Sequence, residues 1–354
     1  MKKDKKILIA MSGGVDSSVA AALLIKKDYD VTGAFMINYD IADNEGQGTC
    51  FINDYYDAVK VAAKLDIPLL KLDFQKEYKK NVLNYMYAEY QKGKTPNPDI
   101  MCNKYIKFGF WLEKAKELGF DYIATGHYAN IKKIGEEYFL QKAKDKNKDQ
   151  TYFLHQLNQD QLKHILFPLG KYTKDKVRKL AKKFNLPTAK KDESMGICFV
   201  GEVDMKDFLK NKIKNKPGEI RLENNEQIGE HDGLSFYTIG QRHGFDQIGG
   251  GKALFVIKKD FKNNILIVGD ENSDLLYKKE IELKDIHFIF KKEIIFPLKC
   301  EVRLRHRQKL QKVILEKKDK NFILKFDKKQ KAITPGQFAV FYKGKYCLGG
   351  GVVK

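Results

Sequence analysis

The chain has 354 residues, 43% of them hydrophobic, enough for two or three domains because a single core seldom grows past about 250–300 residues. Lys and Arg number 66 against 46 Asp and Glu, and the resulting formal charge of +20 puts nucleic acid first among expected partners, with a merely solvated lysine surface as the alternative. With no run of about 18 apolar residues, a strand close behind the first residues and five scattered cysteines (Cys50, Cys102, Cys198, Cys300, Cys347), a membrane span, a signal peptide, a secreted disulfide framework and a conventional structural zinc site are not expected, and a cytoplasmic protein is.

In chain order, residues 6–11 (KILIAM) are a short continuous apolar run bounded by glycines and predict a buried parallel strand. From Ser17 the apolar spacing becomes helical. The next strand, 29–37, is followed by a polar stretch to Gly48, a helix around 52–65, a strand at 68–74 and a long helix near 75–91. Then come the segment KGKTPNPDIMCN and a helix from about 103 to 118, leading into YIATGH at 122–127. Alternating strands and helices predict an α/β Rossmann-like domain, a parallel sheet with helices on both faces. Ligands of such sheets sit beyond the carboxyl ends of the strands, where Ser12, Met36 and His127 fall. Residues 128–142 predict a hairpin, 150–163 a short helix, and 173–185 an amphipathic helix with a basic face. From about 217, short β-prone runs with glycine predict one or two small β barrels or sandwiches, reached through a lysine-rich linker at 210–216. The expected domains are 1–205, 206–275 and 276–354.

Strand, glycine turn and helix in that order present free backbone N–H groups to an anion. A Walker loop also needs a lysine for the terminal phosphates, and SGGVDSS has hydroxyls and a carboxylate but no lysine, which argues against a phosphoryl-transfer NTPase. Gly13 and Gly14 let the backbone close around pyrophosphate, Ser12, Ser17 and Ser18 can donate to its oxygens, and Asp16 is placed to hold magnesium. The unit resembles the pyrophosphate loop of the ATP pyrophosphatases, enzymes that cleave ATP between the α and β phosphates and place AMP on a substrate oxygen.

An adenylated carbonyl needs a nucleophile, and thiols are the best side-chain nucleophiles at neutral pH. Cys102 lies in TPNPDIMCNKY, where two prolines pin the backbone. There it is expected to begin a helix, exposed, with helix-terminal N–H groups and Lys104 favouring its thiolate. Asp99 lies three residues before it. Cys198, in KKDESMGICFVGE, reads equally well as a buried strand cysteine, and the other three read as structural.

SGGVDSS, TPNPDIMCN, ATGHYA, KDQTYFL, FPLGKYTKDKVRKLA, KDESMGICFVGE and GLSFYTIGQRHG together resemble, in order and spacing, the tRNA-specific 2-thiouridylase (MnmA/TrmU) family over essentially the whole chain. The resemblance implies an adenine nucleotide α-hydrolase-like catalytic domain followed by two small, mostly β domains. It implies a tRNA-uridine 2-sulfurtransferase that adenylates O2 of the wobble uridine of tRNAs for Lys, Glu and Gln and replaces it with persulfide sulfur. The implied cofactors are ATP and magnesium. The implied partners are tRNA and a cysteine desulfurase or sulfur-relay protein; no membrane partner is expected, and the chain is expected to be a monomer. By the same resemblance Ala10, Met11, Ser12, Gly13, Gly14, Val15, Asp16 and Ser17 form the ATP loop, with Met36 on the adenine side and Gly126 as a further nucleotide contact. Asn97, Pro98 and Asp99 meet the target base, and Asp99 serves proton transfer. Cys102 is the nucleophile and Cys198 the persulfide carrier, the two ending as a disulfide. His127, Lys148, Asp149, Gln150, Arg305, His306 and Gln337 contact tRNA. Some related thiolation enzymes use an iron–sulfur cluster instead, which Cys102, Cys198 and Asp99 leave open. The chain departs from the family pattern in DESMGICF and at His243, where lysine is usual, and neither departure removes a reacting group.

The charge has a use in this frame. Residues 303–331 hold 12 Lys or Arg against 3 Asp or Glu, suited to phosphate contacts that fix position without reading sequence. Two other functions fit parts of the pattern. An ATP pyrophosphatase adenylating a small metabolite would give Cys102 no role, and a non-catalytic RNA-binding protein would bind tRNA without releasing pyrophosphate.

Overall fold

A computed structural model of the chain describes residues 4–39, 50–192, 204–244, 253–319 and 321–354. Strand β1 (Lys6–Ala10) has Ile7, Leu8 and Ile9 all at 0% exposure, as a strand covered on both faces must. Around it lie β2 (Asp30–Ile37), β3 (Leu69–Asp73), β4 (Tyr122–Ala124) and the two-residue β7 (Ile165–Leu166), in the order β3-β2-β1-β4-β7 and parallel throughout. Side-chain alternation divides the two faces. Ile7, Ile9, Phe35 and Ile37 join a core with α1 (Val15–Ile25), α2 (Cys50–Leu65) and the helix Lys174–Lys183. Leu8, Ala34 and Met36 join the opposite core, which contains Cys102 and the helical runs 75–91 and 98–117. The expected parallel sheet with helices on both faces is present.

The second helical run begins earlier than its apolar spacing suggested. Asn97 caps it by accepting from the Ile100 N–H at 3.3 Å, and Pro98 occupies the first helical position, where its fixed φ fits and its missing N–H costs nothing. The run is π-helical over Cys102–Phe110, and the neighbouring run is π-helical over Lys79–Leu83. The helix expected at 150–163 is two short helices, Thr151–Leu154 and Gln159–Leu162. The second starts at a capping box in which Asn158 and Gln161 bond reciprocally.

Residues 211–217 carry no helix or strand and lead into a four-stranded sheet of β8 (Gly218–Leu222), β9 (Gln227–His231), β10 (Phe255–Asp260) and β11 (Ile265–Gly269), ordered β10-β11-β8-β9. The C-terminal sheet contains β12 (Tyr277–Phe288), β13 (Leu298–Arg303), β14 (Gln311–Lys318), β15 (Asn321–Lys331), β16 (Phe338–Lys343) and β17 (Tyr346–Val353). Its order is β12-β15-β14-β13-β16-β17, and β12 also pairs with β17, closing a barrel. Alternate residues such as Val313, Leu315, Leu324 and Phe326 fill its interior. The predicted hairpin, β5 (Ala129–Ile134) and β6 (Glu137–Lys142), does not belong to the N-terminal sheet. It extends the barrel sheet through Gln141 opposite Tyr346, and the Lys142 N–H donates to Lys345 O at 2.9 Å. The N-terminal domain and the barrel thus share a sheet. Among the described residues no helix is long and apolar enough to cross a membrane.

Candidate active site

The glycine loop turns at the carboxyl end of β1. Gly13 has φ +68°, a left-handed conformation that favours glycine, and a Cβ there would run into the Asp54 carbonyl of α2. Ser12 is exposed, and its N–H and hydroxyl lie 3.3 and 3.2 Å from the Ser17 Oγ. The Ser17 hydroxyl donates to Gly14 O at 3.1 Å. Ser18, expected as a phosphate donor, is fully buried. Its hydroxyl donates to Gly14 O at 2.8 Å and accepts from Thr188 Oγ1 at 3.0 Å, so it braces the turn from inside. Gly126, at the end of β4, lies so close to the start of α1 that a Cβ would come within 2.9 Å of the Ser17 nitrogen. Ala10, Met11, Gly14 and Val15 complete the loop, with Met11 1% exposed and Met36 6% exposed at the neighbouring strand end.

The lysine missing from the loop sequence comes from far along the chain. Lys174 Nζ lies 2.8 Å from both carboxylate oxygens of Asp16, and the Tyr128 hydroxyl donates to Asp16 Oδ1 at 2.9 Å. Thr173 caps the helix that presents Lys174, and Asp145 accepts from the Lys174 N–H at 2.9 Å. The sequence marks this helix as basic and amphipathic and as part of a family motif, but gives Lys174 itself no role. A magnesium ion in a phosphate site takes one or two carboxylates and several phosphate or water oxygens. Asp16 is a single carboxylate with a lysine across both oxygens, and among the described residues no group of three or more His, Cys, Asp or Glu could hold a metal. Asp16 is thus the one loop carboxylate that could share a magnesium with phosphate oxygens, and it would exchange its contact with Lys174 to do so.

Cys102 is 0% exposed, contrary to the exposure expected of it. Because the helix starts at Pro98, Cys102 stands a full turn inside it, and its N–H is already bonded to Pro98 and Asp99 carbonyls. Cys102 therefore stands inside the helix and not at its first turn, where the sequence places it. Asn97, Pro98 and Asp99 are half-buried at the entrance to this helix. Cys198 and the variant residues of DESMGICF lie outside the described residues. Leading toward that segment, Lys191 Nζ lies 2.7 Å from both Asp54 and Asp57 of α2, and its hydrogen bond holds the Asp57 carboxyl below the usual range.

The segment before Asn97, Pro98 and Asp99, the residues expected at the target base, is clamped by the barrel. Gln337 Nε2 donates to the Thr95 and Pro96 carbonyls at 2.9 and 3.3 Å, and its Oε1 lies 3.5 Å from Asn97 Nδ2. The Thr95 N–H donates to Pro335 O at 2.9 Å, and Thr95 Oγ1 meets Thr238 Oγ1 of the central domain at 3.0 Å. Gly336, at φ +91°, leaves room for Thr95 to approach. Arg305 steadies the same turn by donating from Nη2 to Ala332 O at 2.5 Å and to Thr334 Oγ1 at 3.3 Å. Gln337→Ala is expected to lower kcat/KM for tRNA by about tenfold, the scale of one or two hydrogen bonds that set the position of a reacting group. Steady-state assays and a thermal melt check it, the melt moving little.

The remaining residues expected at tRNA come together across the domain boundary. Asp149, 2% exposed, pairs with Arg303 Nη1 at 2.8 Å and accepts from the Ala143 N–H and Thr151 hydroxyl. Its side chain serves the fold, while Lys148 and Gln150 on either side are half-buried and Gln150 Oε1 accepts from the Tyr128 N–H. Arg307 Nε donates to Asn147 O at 3.0 Å, bringing 303–307 beside 147–150. The His306 ring lies 4.6 Å from the Phe153 ring, tilted by 37°, and burial, with Arg307 adding, pushes its imidazole down to about 4. His127 is also buried, between the rings of Phe108 and Phe167, with Nδ1 2.7 Å from Thr125 Oγ1. Burial first and Lys107 second hold it well below the ordinary histidine range, so it is a neutral hydrogen-bonding group.

Residues 5–202 match the family described as "tRNA methyl transferase HUP domain", 206–270 "tRNA methyl transferase PRC-barrel domain", and 278–353 "Aminomethyltransferase beta-barrel domain". Proteins named tRNA-specific 2-thiouridylase MnmA from Listeria monocytogenes serotype 4b and Shouchella clausii are 47% and 46% identical to this chain. Each alignment covers 99% of this chain, with 95% of the Listeria protein and 97% of the Shouchella protein. A Bacillus cereus protein of the same name is 45% identical over 99% of this chain and 95% of its own length. A match of this extent through all three domains means that the chain belongs to the tRNA-specific 2-thiouridylase family.

Proposed function

We propose that this chain uses ATP to exchange O2 of a tRNA wobble uridine for sulfur, as a cytoplasmic tRNA-uridine 2-sulfurtransferase. Family membership supports the reaction class. The observation that carries the chemistry is the placement, beyond one end of one parallel sheet, of a lysine-backed glycine loop and, on the face of Met36, the helix that bears Cys102. Ser12, Gly13 and Gly14 receive the phosphates at the start of α1. Lys174, steered by Asp16, offsets charge that grows on the pyrophosphate as it leaves. The uridine already stands in a single-stranded loop, so turning it out of its stack costs little.

The bonds balance in two stages. Uridine O2 attacks the α phosphorus, the bond to the β-phosphate oxygen breaks, and pyrophosphate leaves. The terminal persulfide sulfur on Cys198 attacks C2, the C2–O bond breaks, and AMP carries the oxygen away. Cys102 thiolate then attacks the Cys198 sulfur, leaving the outer sulfur on the base and a Cys102–Cys198 disulfide, which a thiol reductant reopens. Alternatively, Cys102 attacks first and frees hydrosulfide to attack C2. Asp99 takes or returns protons beside the base. The persulfide comes from a cysteine desulfurase or a sulfur-relay protein.

The test is pyrophosphate release from ATP with unmodified tRNA(Glu), followed in the same tube, with a persulfide donor added, by mass spectrometry of the wobble nucleoside. Release that depends on tRNA, with the base gaining the mass difference between sulfur and oxygen, is expected. Release without that gain would leave an adenylating enzyme with another acceptor. Lys174→Met is expected to slow pyrophosphate release by about 100-fold, the scale for losing one charge-stabilising donor, and single-turnover kinetics check it.

A further inference from the structure

Asn38 stands immediately past the end of β2, 2% exposed, and neither its Nδ2 nor its Oδ1 has a hydrogen-bond partner. Buried amides are nearly always satisfied, and one left unpaired destabilises the fold that holds it. Other buried polar atoms without partners exist, such as Trp111 Nε1 and His155 Nε2, but among the described residues Asn38 alone has both a donor and an acceptor orphaned. Its position is the carboxyl end of a central parallel strand, where such sheets bind their ligands. Ala34 and Met36 face the Cys102 side of the sheet, Phe35 and Ile37 face α1 and α2, and Tyr39, just past Asn38, packs against the Cys102-side core. The backbone around it is fixed, since the Phe74 N–H donates to Ile37 O at 2.8 Å and the Tyr39 ring packs 6.1 Å from Phe208.

A carboxamide with one donor and one acceptor on a planar head matches the edge of a nucleobase. Adenine offers an amino donor beside a ring-nitrogen acceptor, and uracil offers a ring N–H beside a carbonyl. We propose that Asn38 reads the edge of a nucleobase bound at the end of β2, donating from Nδ2 and accepting at Oδ1. The inference deepens the nucleotide-dependent tRNA chemistry above and rests on it. It makes Asn38 a specificity residue that the sequence motifs did not single out, because one asparagine after a strand has no distinguishing spacing.

Asn38→Leu replaces the amide by an apolar group of similar size, and Asn38→Asp keeps the size but loses the donor. Equilibrium binding of ATP and of unmodified tRNA is measured separately for each, with thermal melts of the ligand-free proteins. The expected result is a Leu variant that melts at or above the native temperature while both variants bind one ligand about tenfold or more weakly, which a purely structural asparagine would not produce. Loss confined to ATP assigns the adenine edge, and loss confined to tRNA assigns the uracil edge. A ligand-free Leu variant less stable than native, or both variants binding both ligands within about twofold of native, overturns the proposal. These readouts do not require turnover. Failure of thiolation by the native protein would therefore count against the reaction class and leave the Asn38 result standing separately.

Discussion

Cys102→Ser is expected to cut tRNA thiolation by at least about 10⁴-fold while leaving tRNA-dependent pyrophosphate release largely intact. Serine keeps the shape of the side chain in its fully buried site, so the fold should hold. Its hydroxyl cannot open a persulfide or end as half of a disulfide. If Cys198 sulfur reaches C2 before Cys102 acts, the Ser variant should trap RNA joined to protein through Cys198, visible on a non-reducing gel and released by thiol. Cys198→Ser should lose thiolation equally and trap nothing. Native thiolation rates in either variant would remove the two-cysteine mechanism.

Arg303→Met should destabilise the folded protein by about 3–5 kcal/mol, the range for breaking a buried ion pair and leaving one charge behind. Asp149 and the Arg303 side chain are 2% and 11% exposed and 2.8 Å apart, and the guanidinium also lies over the Tyr342 ring at 5.3 Å. The carboxylate left behind would keep only the Ala143 N–H and the Thr151 hydroxyl among these partners. Urea denaturation checks the magnitude. The double variant Arg303→Met/Asp149→Leu should recover much of the loss, because a well-packed apolar pair often replaces a buried ion pair without penalty. If the single variant is as stable as native, the bridge between 147–150 and the barrel is held by Arg307 and backbone contacts instead.

Local order in the sequence was sufficient for much of the N-terminal domain. KILIAM, SGGVDSS and the alanine-rich run after it specify strand, turn and helix through three short-range rules: continuous apolar residues, glycines that tolerate left-handed φ, and helical spacing. The same reasoning misplaced the start of the Cys102 helix. Apolar spacing outweighs the Asn97-Pro98 cap in such a reading, and the proline-rich, polar setting of Cys102 points to an exposure that the fold does not give it. Ser18 was misjudged for a similar reason, since a hydroxyl beside a loop looks like a ligand donor until its two protein partners are in place.

By itself, the sequence determined the nucleotide loop, the cysteine after TPNPD, the basic β-rich C-terminal half and, through these motifs together, the family resemblance. Only the tertiary structure decided that Lys174 completes the loop at Asp16, that Gln337 clamps the segment leading to Asn97, that hairpin β5–β6 joins the barrel sheet, and that Asn38 is buried without a partner. The division has one physical cause. Turns, caps and periodicities depend on backbone geometry within a few residues, whereas ion pairs, inter-domain hydrogen bonds and orphaned amides depend on which distant surfaces the chain brings into contact.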